Sequence, residues 1–173
     1  MGNDMTQKHT GRRTVLLGGL SASLLGCSTS KITRRYTGPT ADGIIVRKSQ
    51  RQMFVLNGST VLAAHDVDLG FAPTGHKTRR GDGRTPEGQY YIDRRNYNSS
   101  FFLSLGISYP NAADVARAQA QGQDPGGDIF IHGMERGRKR GTDWTAGCIS
   151  VSDAEMEMLY QMVPIGTPIW IQA

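Results

Sequence analysis

The apolar residues of this chain come in short runs: Ile44-Ile45-Val46, Met53-Phe54-Val55-Leu56, Phe101-Phe102-Leu103 and Ile129-Phe130-Ile131. Each is cut off by Gly, Asn, Asp, Ser or polar residues before a 3.6-residue period can repeat. Runs of that length bounded by turn formers predict strands. Glycine supplies 22 of 173 residues, which favours tight connections over a helical bundle. The length suits one domain.

The walk along the chain yields specific elements. Ile44–Val46 and Met53–Leu56 flank Lys48-Ser49-Gln50-Arg51 as a hairpin. Asn57-Gly58 predicts a type I′ turn into Thr60–Ala64, and residues 67–69 extend a three-stranded meander. Residues 89–92, 101–105, 129–131 and 168–172 complete the strands. Two helices are marked. Residues 111–121 are Ala-rich, with Asn111 ahead and Gly122 just beyond. Ser152-Asp153-Ala154-Glu155 has capping-box spacing. Met156, Leu159, Tyr160 and Val163 then share one face, and Pro164 ends the helix. The expected fold class is mainly β, a mixed sandwich-like or barrel-like sheet with two short helices.

The start of the chain carries an address. Arg12-Arg13 precedes an apolar run from Val15 to Leu25, shorter than the roughly 20 residues that span a bilayer. Residues 10–16 resemble a twin-arginine signal, and Leu24-Leu25-Gly26-Cys27 resembles a bacterial lipobox, in which Cys27 is lipidated. Residues 1–26 are therefore expected to be an export signal, 27–42 a tether and 43–173 the folded domain. Ser28, where an aspartate would favour inner-membrane retention, points to the outer membrane. The formal charge of +5 is dispersed. Arg138-Lys139-Arg140 is the one tight basic cluster and reads as a solvated loop, so no nucleic-acid partner is expected.

The chain has 2 cysteines. With Cys27 lipidated, Cys148 has no disulfide partner in an exported protein and is either buried and inert or chemically employed. Ile129-Phe130-Ile131 runs into His132-Gly133, and Thr145-Ala146-Gly147-Cys148 follows a polar loop. An imidazole can take a thiol's proton, and glycine beside the thiol lets backbone N–H groups face a developing oxyanion. A free cysteine is also a common small hydrophobe and a lone histidine a common structural residue, so spacing alone leaves both readings open. His65, His76 and Asp82 lack the spacing of a zinc site with Cys148.

His132-Gly133, Thr145-Ala146-Gly147-Cys148 and the upstream Gly81-Asp82-Gly83-Arg84-Thr85-Pro86-Glu87-Gly88, taken in order, resemble the L,D-transpeptidase (YkuD) catalytic domain, in the branch related to ErfK and YafK proteins. The resemblance covers residues 41–173 and includes Pro164-Ile165-Gly166-Thr167-Pro168. It implies Cys148 as nucleophile and His132 as proton acceptor and donor, with Thr145, Gly147 and Gly133 in supporting positions and no metal or cofactor. The implied substrate is a peptidoglycan stem tetrapeptide in the periplasm. The acyl group would pass to an amine, giving a 3–3 crosslink or an attached outer-membrane lipoprotein. Water as acceptor would make the same site a carboxypeptidase or amidase. Two departures stand out: Ala146 replaces a histidine common in the family, and Ser150 replaces an arginine whose charge would anchor the donor. An inactive peptidoglycan-binding module remains the alternative to an enzyme.

Overall fold

The computed structural model describes residues 1–2, 30–135 and 137–173. Cys27 and the expected export segment, apart from its first two residues, lie outside the described residues. Ten elements follow in order: β1 (Gly43–Arg47), β2 (Gln52–Asn57), β3 (Thr60–Asp66), β4 (Gly88–Asn96), β5 (Ser104–Ile107), α1 (Ala112–Gln119), β6 (Phe130–His132), β7 (Ile149–Ser150), α2 (Asp153–Met162) and β8 (Pro168–Gln172). The strands form one mixed sheet in the order β3-β2-β1-β8-β4-β5-β6-β7. The fold is mostly β with two helices, as expected. No helix among the described residues is long and apolar enough to cross a membrane.

Period-two alternation builds the core. Ile44 and Val46 of β1, Met53 and Val55 of β2, Tyr90 and Ile92 of β4, and Ile169 and Ile171 of β8 all point inward and are buried. Burying a large apolar side chain contributes about 1.5–3 kcal/mol, so this row is one substantial part of the core. Helix α2 packs against β5 and β6 and buries Met156 and Leu159 among them. Ser152 and Glu155 form the anticipated capping box, and Asn111 with Asp114 forms another at α1.

Three local expectations need correction. The two-residue loop after β2 is Gly58-Ser59, since Asn57 already pairs with Thr60. Only Gly58 has positive φ (56°), so the turn is not type I′, which needs positive φ at both centre residues. Residues 67–69 do not extend the meander. Asp68 is bridged to Ser150 and Gly70 to Thr145, so the chain leaving edge strand β3 meets the opposite edge strand β7. The sheet thus curls into a half-barrel, and this contact covers the β7 edge. The strand anticipated from residue 101 begins at Ser104, because Phe102 has φ 68° and breaks the extended run.

The expected tether is also revised. From residue 30 to residue 42 the chain lies along the domain rather than away from it. Lys31 bonds to the loop after β4, Thr33 and Arg34 donate N–H groups to Glu157 on α2, and Tyr36 N–H donates to Gln161. Ala41 is buried and bonds to the Met162 carbonyl. Replacing Ser152 by Ala removes an acceptor of a free helix N–H and should lower the stability of the fold by about 1 kcal/mol, read as a reduced urea midpoint with unchanged slope.

Candidate active site

Sheet register brings the anticipated pair together. Asn96 pairs with Ser104, Ser104 with His132 and His132 with Ser150, forming one row across β4, β5, β6 and β7. Arg94, Gly106 and Phe130 form the parallel row two residues away. Cys148 lies two residues before Ser150, so alternation returns it to the face of Ser150 and His132, beside Phe130. His132 and Cys148, with Ser104, Phe130, Asp128 and Phe101, line one cavity of about 260 Å³. A second cavity of about 230 Å³ opens on the other side of Cys148, lined by Ala146, Lys77, Arg80 and Gly126 among others.

The tautomer of His132 follows from its neighbour. Nδ1 lies 2.7 Å from the Gly133 carbonyl, which can only accept, so Nδ1 carries the proton and Nε2 keeps its lone pair. Phe101 stacks on the ring at 4.6 Å between centroids, and Trp144 meets it edge-on at 5.6 Å. Burial by these rings pushes the imidazole below the ordinary histidine value, against a smaller upward pull from the Gly133 carbonyl. Ser150 Oγ also donates to the Gly133 carbonyl at 3.3 Å. Ser150, noted in the sequence as a departure from the family pattern, is thus a buried hydroxyl that steadies the acceptor of the histidine.

The thiol rests neutral. Burial raises the Cys148 thiol above its ordinary value, and the Asp128 carboxylate adds to that. The Phe130 N–H and the cations of Lys77 and Arg94 pull the other way without prevailing. Its proton is directed to the Asp128 carbonyl at 3.5 Å. His132 and Cys148 line the same cavity, and a neutral imidazole with a free Nε2 can accept a thiol proton as the sulfur attacks.

The supporting residues separate. Thr145 Oγ1 accepts from Gly147 N–H at 3.1 Å and donates to the Cys148 carbonyl at 2.7 Å, which pins the turn that presents the thiol. The Gly147 N–H is therefore engaged and does not face an oxyanion, contrary to expectation. Glycine is required there for another reason: φ is +132°, and a Cβ would sit 2.6 Å from the Arg84 carbonyl oxygen. Gly133 is likewise fixed by space, because a Cβ would lie 2.9 Å from the Phe101 carbonyl oxygen and 3.0 Å from Phe102. His65 pairs with Glu155, His76 with Asp114 and Asp82 with Lys77, so these three do not converge on Cys148. Arg138 and Arg140 of the basic cluster pair with Glu135 and Glu155. The sequence reading missed Phe101 and Trp144; Trp144 directly precedes Thr145 and could have been noticed, whereas Phe101 is remote from both motifs in the chain.

A β-rich domain with a thiol and an imidazole on one sheet face defines the class, and the comparisons give the family. The chain belongs to the YkuD family, the L,D-transpeptidase catalytic domain, whose family model matches residues 41–171. No curated protein matches. Among solved structures, the helical cell shape determining protein Pgp2 from Campylobacter jejuni superimposes with a TM-score of 0.60 at 22% identity, over 82% of this chain and 51% of that one. Bdellovibrio bacteriovorus Bd1075 gives 0.55 at 24% identity, over 76% and 48%. An Enterococcus faecium L,D-transpeptidase gives 0.52 at 16% identity, over 77% and 50%. These likenesses show the fold, and the chain spans about half the length of each.

The resting state makes a measurable claim. Alkylation of Cys148 by iodoacetamide should rise with pH through a midpoint above the ordinary thiol value of 9.0, because burial favours the neutral form. A midpoint near 7 would show a preformed thiolate instead.

Proposed function

We propose that this protein is a periplasmic thiol acyltransferase acting on peptidoglycan stem peptides. The observation that carries the proposal is the shared cavity of Cys148 and His132, with the His132 tautomer set to accept a proton at Nε2. In the first half-reaction, Cys148 Sγ attacks the carbonyl after the L-centre of diaminopimelate as its proton passes to His132 Nε2. The C–N bond then breaks, and the imidazolium returns that proton to the leaving D-alanine amine. In the second, an acceptor amine attacks the thioester, His132 takes its proton, and the thiolate leaves and is reprotonated. An amine acceptor gives a 3–3 crosslink or a lipoprotein linkage, and water gives hydrolysis.

The flanking charges suit such a substrate. Arg94 lies over the Phe130 ring at 4.5 Å, on a shelf left open by Gly106, where a Cβ would collide with its Cγ. Its guanidinium pairs with Asp93 at 2.8 Å and reaches Asp128, which borders both cavities, at 3.4 Å. It is placed to exchange an exposed carboxylate partner for one on the stem peptide. This supplies from β4 the charge that Ser150 does not. Replacing Arg94 by Ala should raise KM for a tetrapeptide donor several-fold, about 1 kcal/mol of lost charge-assisted contact, with a smaller change in kcat.

Membrane attachment through Cys27 belongs to the same proposal. Because Lys31 is already bound to the domain, an anchor at Cys27 leaves about 14 Å of extended chain rather than the roughly 50 Å of a free tether. The catalytic face would then work close to the lipid surface. The second reading, a non-catalytic wall-binding module, draws on the neutral resting thiol.

A carbapenem separates the two. The purified protein should gain one acyl adduct by mass, absent in Cys148→Ala and slowed about 10²- to 10⁴-fold in His132→Ala. No adduct on the wild-type chain would favour the binding module. With defined tetrapeptide muropeptides, a dimer means transfer and a shortened monomer means cleavage.

A further inference from the structure

The loop joining β4 to β5 forms the wall of the catalytic cavity that carries Ser99, Ser100 and Phe101. Its Phe101 ring lies on His132, and its Phe101 carbonyl accepts the Gly133 N–H at 3.0 Å. Three other carbonyls bracket this segment, those of Tyr97, Ser99 and Phe102, and all three converge on one point on its outer side. That point is occupied by Lys31 Nζ, at 3.0, 3.4 and 2.7 Å. The Lys31 N–H donates as well, to the Tyr97 hydroxyl at 2.9 Å. An ammonium has three donors and meets three acceptors here, so its hydrogen-bonding capacity is filled.

The family match starts at residue 41, whereas Lys31 lies ten residues earlier, in the segment that wraps the domain. The loop thus depends on a cation that its own domain core does not contain. Three converging carbonyls without a cation repel one another and lose the donor that gathers them. The loop already holds a residue with positive φ, Phe102 at 68°, which has little reason to persist once its carbonyl is released.

We infer that Lys31 is a positioning residue for catalysis: its ammonium gathers the loop carbonyls, and the gathered loop presses Phe101 against His132. The segment upstream of the family domain is in this way part of the active site's support. The effect reaches the chemistry because His132 owes its position to two rings and one carbonyl. Besides Phe101, Trp144 and the Gly133 carbonyl, the titratable groups bordering its cavity are Cys148 and Asp128. Lys31 touches none of these, so it can act on His132 only through the loop.

The inference rests on the proposed thiol chemistry for its kinetic consequence, and the first test is chosen to stand without it. In the full chain, the His132 ring is titrated by NMR in wild type and in Lys31→Met. With Phe101 loosened, the ring gains water, and its midpoint should move up toward the ordinary 6.5. An unchanged midpoint overturns the inference, whatever the enzyme does. In the second test, acylation of Cys148 by a carbapenem should slow about tenfold in Lys31→Met, as expected for a modest misplacement of the histidine. Wild type that is not acylated at all would refute the proposed function and leave the NMR result to judge the clamp. Tyr97→Phe removes one acceptor and keeps the charge. It should give a smaller shift in the same direction, and a cooperative thermal transition in that variant separates loosening from unfolding.

Discussion

The parallel pairing of β6 with β7 is the contact on which the rest of the site depends. It is short, yet it sets Ser150 opposite His132 and so puts Cys148 on the same side of the sheet. A slip of one residue would turn Cys148 to the opposite face from His132. Such a small ladder cannot hold that register unaided. The bridge from Asp68 to Ser150, with hydrogen bonds in both directions at 3.0 and 2.8 Å, clamps β7 from its far side. The Asp68 carboxylate also accepts the Gly141 and Thr142 N–H groups of the loop that joins the two motifs. Closing the half-barrel and aligning the thiol with the imidazole are therefore one event.

Around that register the site is built mostly from backbone. The Gly133 carbonyl fixes the histidine tautomer, the Asp128 carbonyl holds the thiol proton, and Thr145 ties the turn before the cysteine to its own carbonyl. Two cations stand at the rim instead, Arg94 on its glycine shelf and Arg80 at the second cavity, while Lys77 is buried against Asp82. Under the proposed function, neutral groups would exchange a proton inside the cavity while a charged peptide meets Arg94 outside it. Low polarity within the cavity strengthens the hydrogen bonds that orient His132 and Cys148.

Local sequence signals were reliable where a short-range physical cause sufficed. Ser152 with Glu155, and Asn111 ahead of the Ala-rich stretch, satisfy free helix N–H groups within a few residues, so both helices were legible. The strands of the core were legible because Met53 and Val55, or Ile169 and Ile171, alternate with outward residues. The failures share a different cause. Residues 67–69 looked like another strand of a meander, and only the curl of the whole sheet gives Asp68 its partner in Ser150. Residues 30–42 looked like a spacer because they lack apolar periodicity, yet they are held by polar contacts to Tyr97, Glu157 and Gln161 that no local pattern announces.

The sequence by itself determined the family, the mainly β composition with two helices, and the motifs from which the thiol and the imidazole come. Those depend on residue type and on spacing along the chain, which are one-dimensional properties. Only the tertiary structure decided that the two side chains share a cavity, that burial raises the thiol above its ordinary value, that Ser150 meets the acceptor of the histidine, and that Lys31 meets the cavity wall. Each of these depends on which groups meet through space and on how far water is excluded between them, and neither is written in the order of residues.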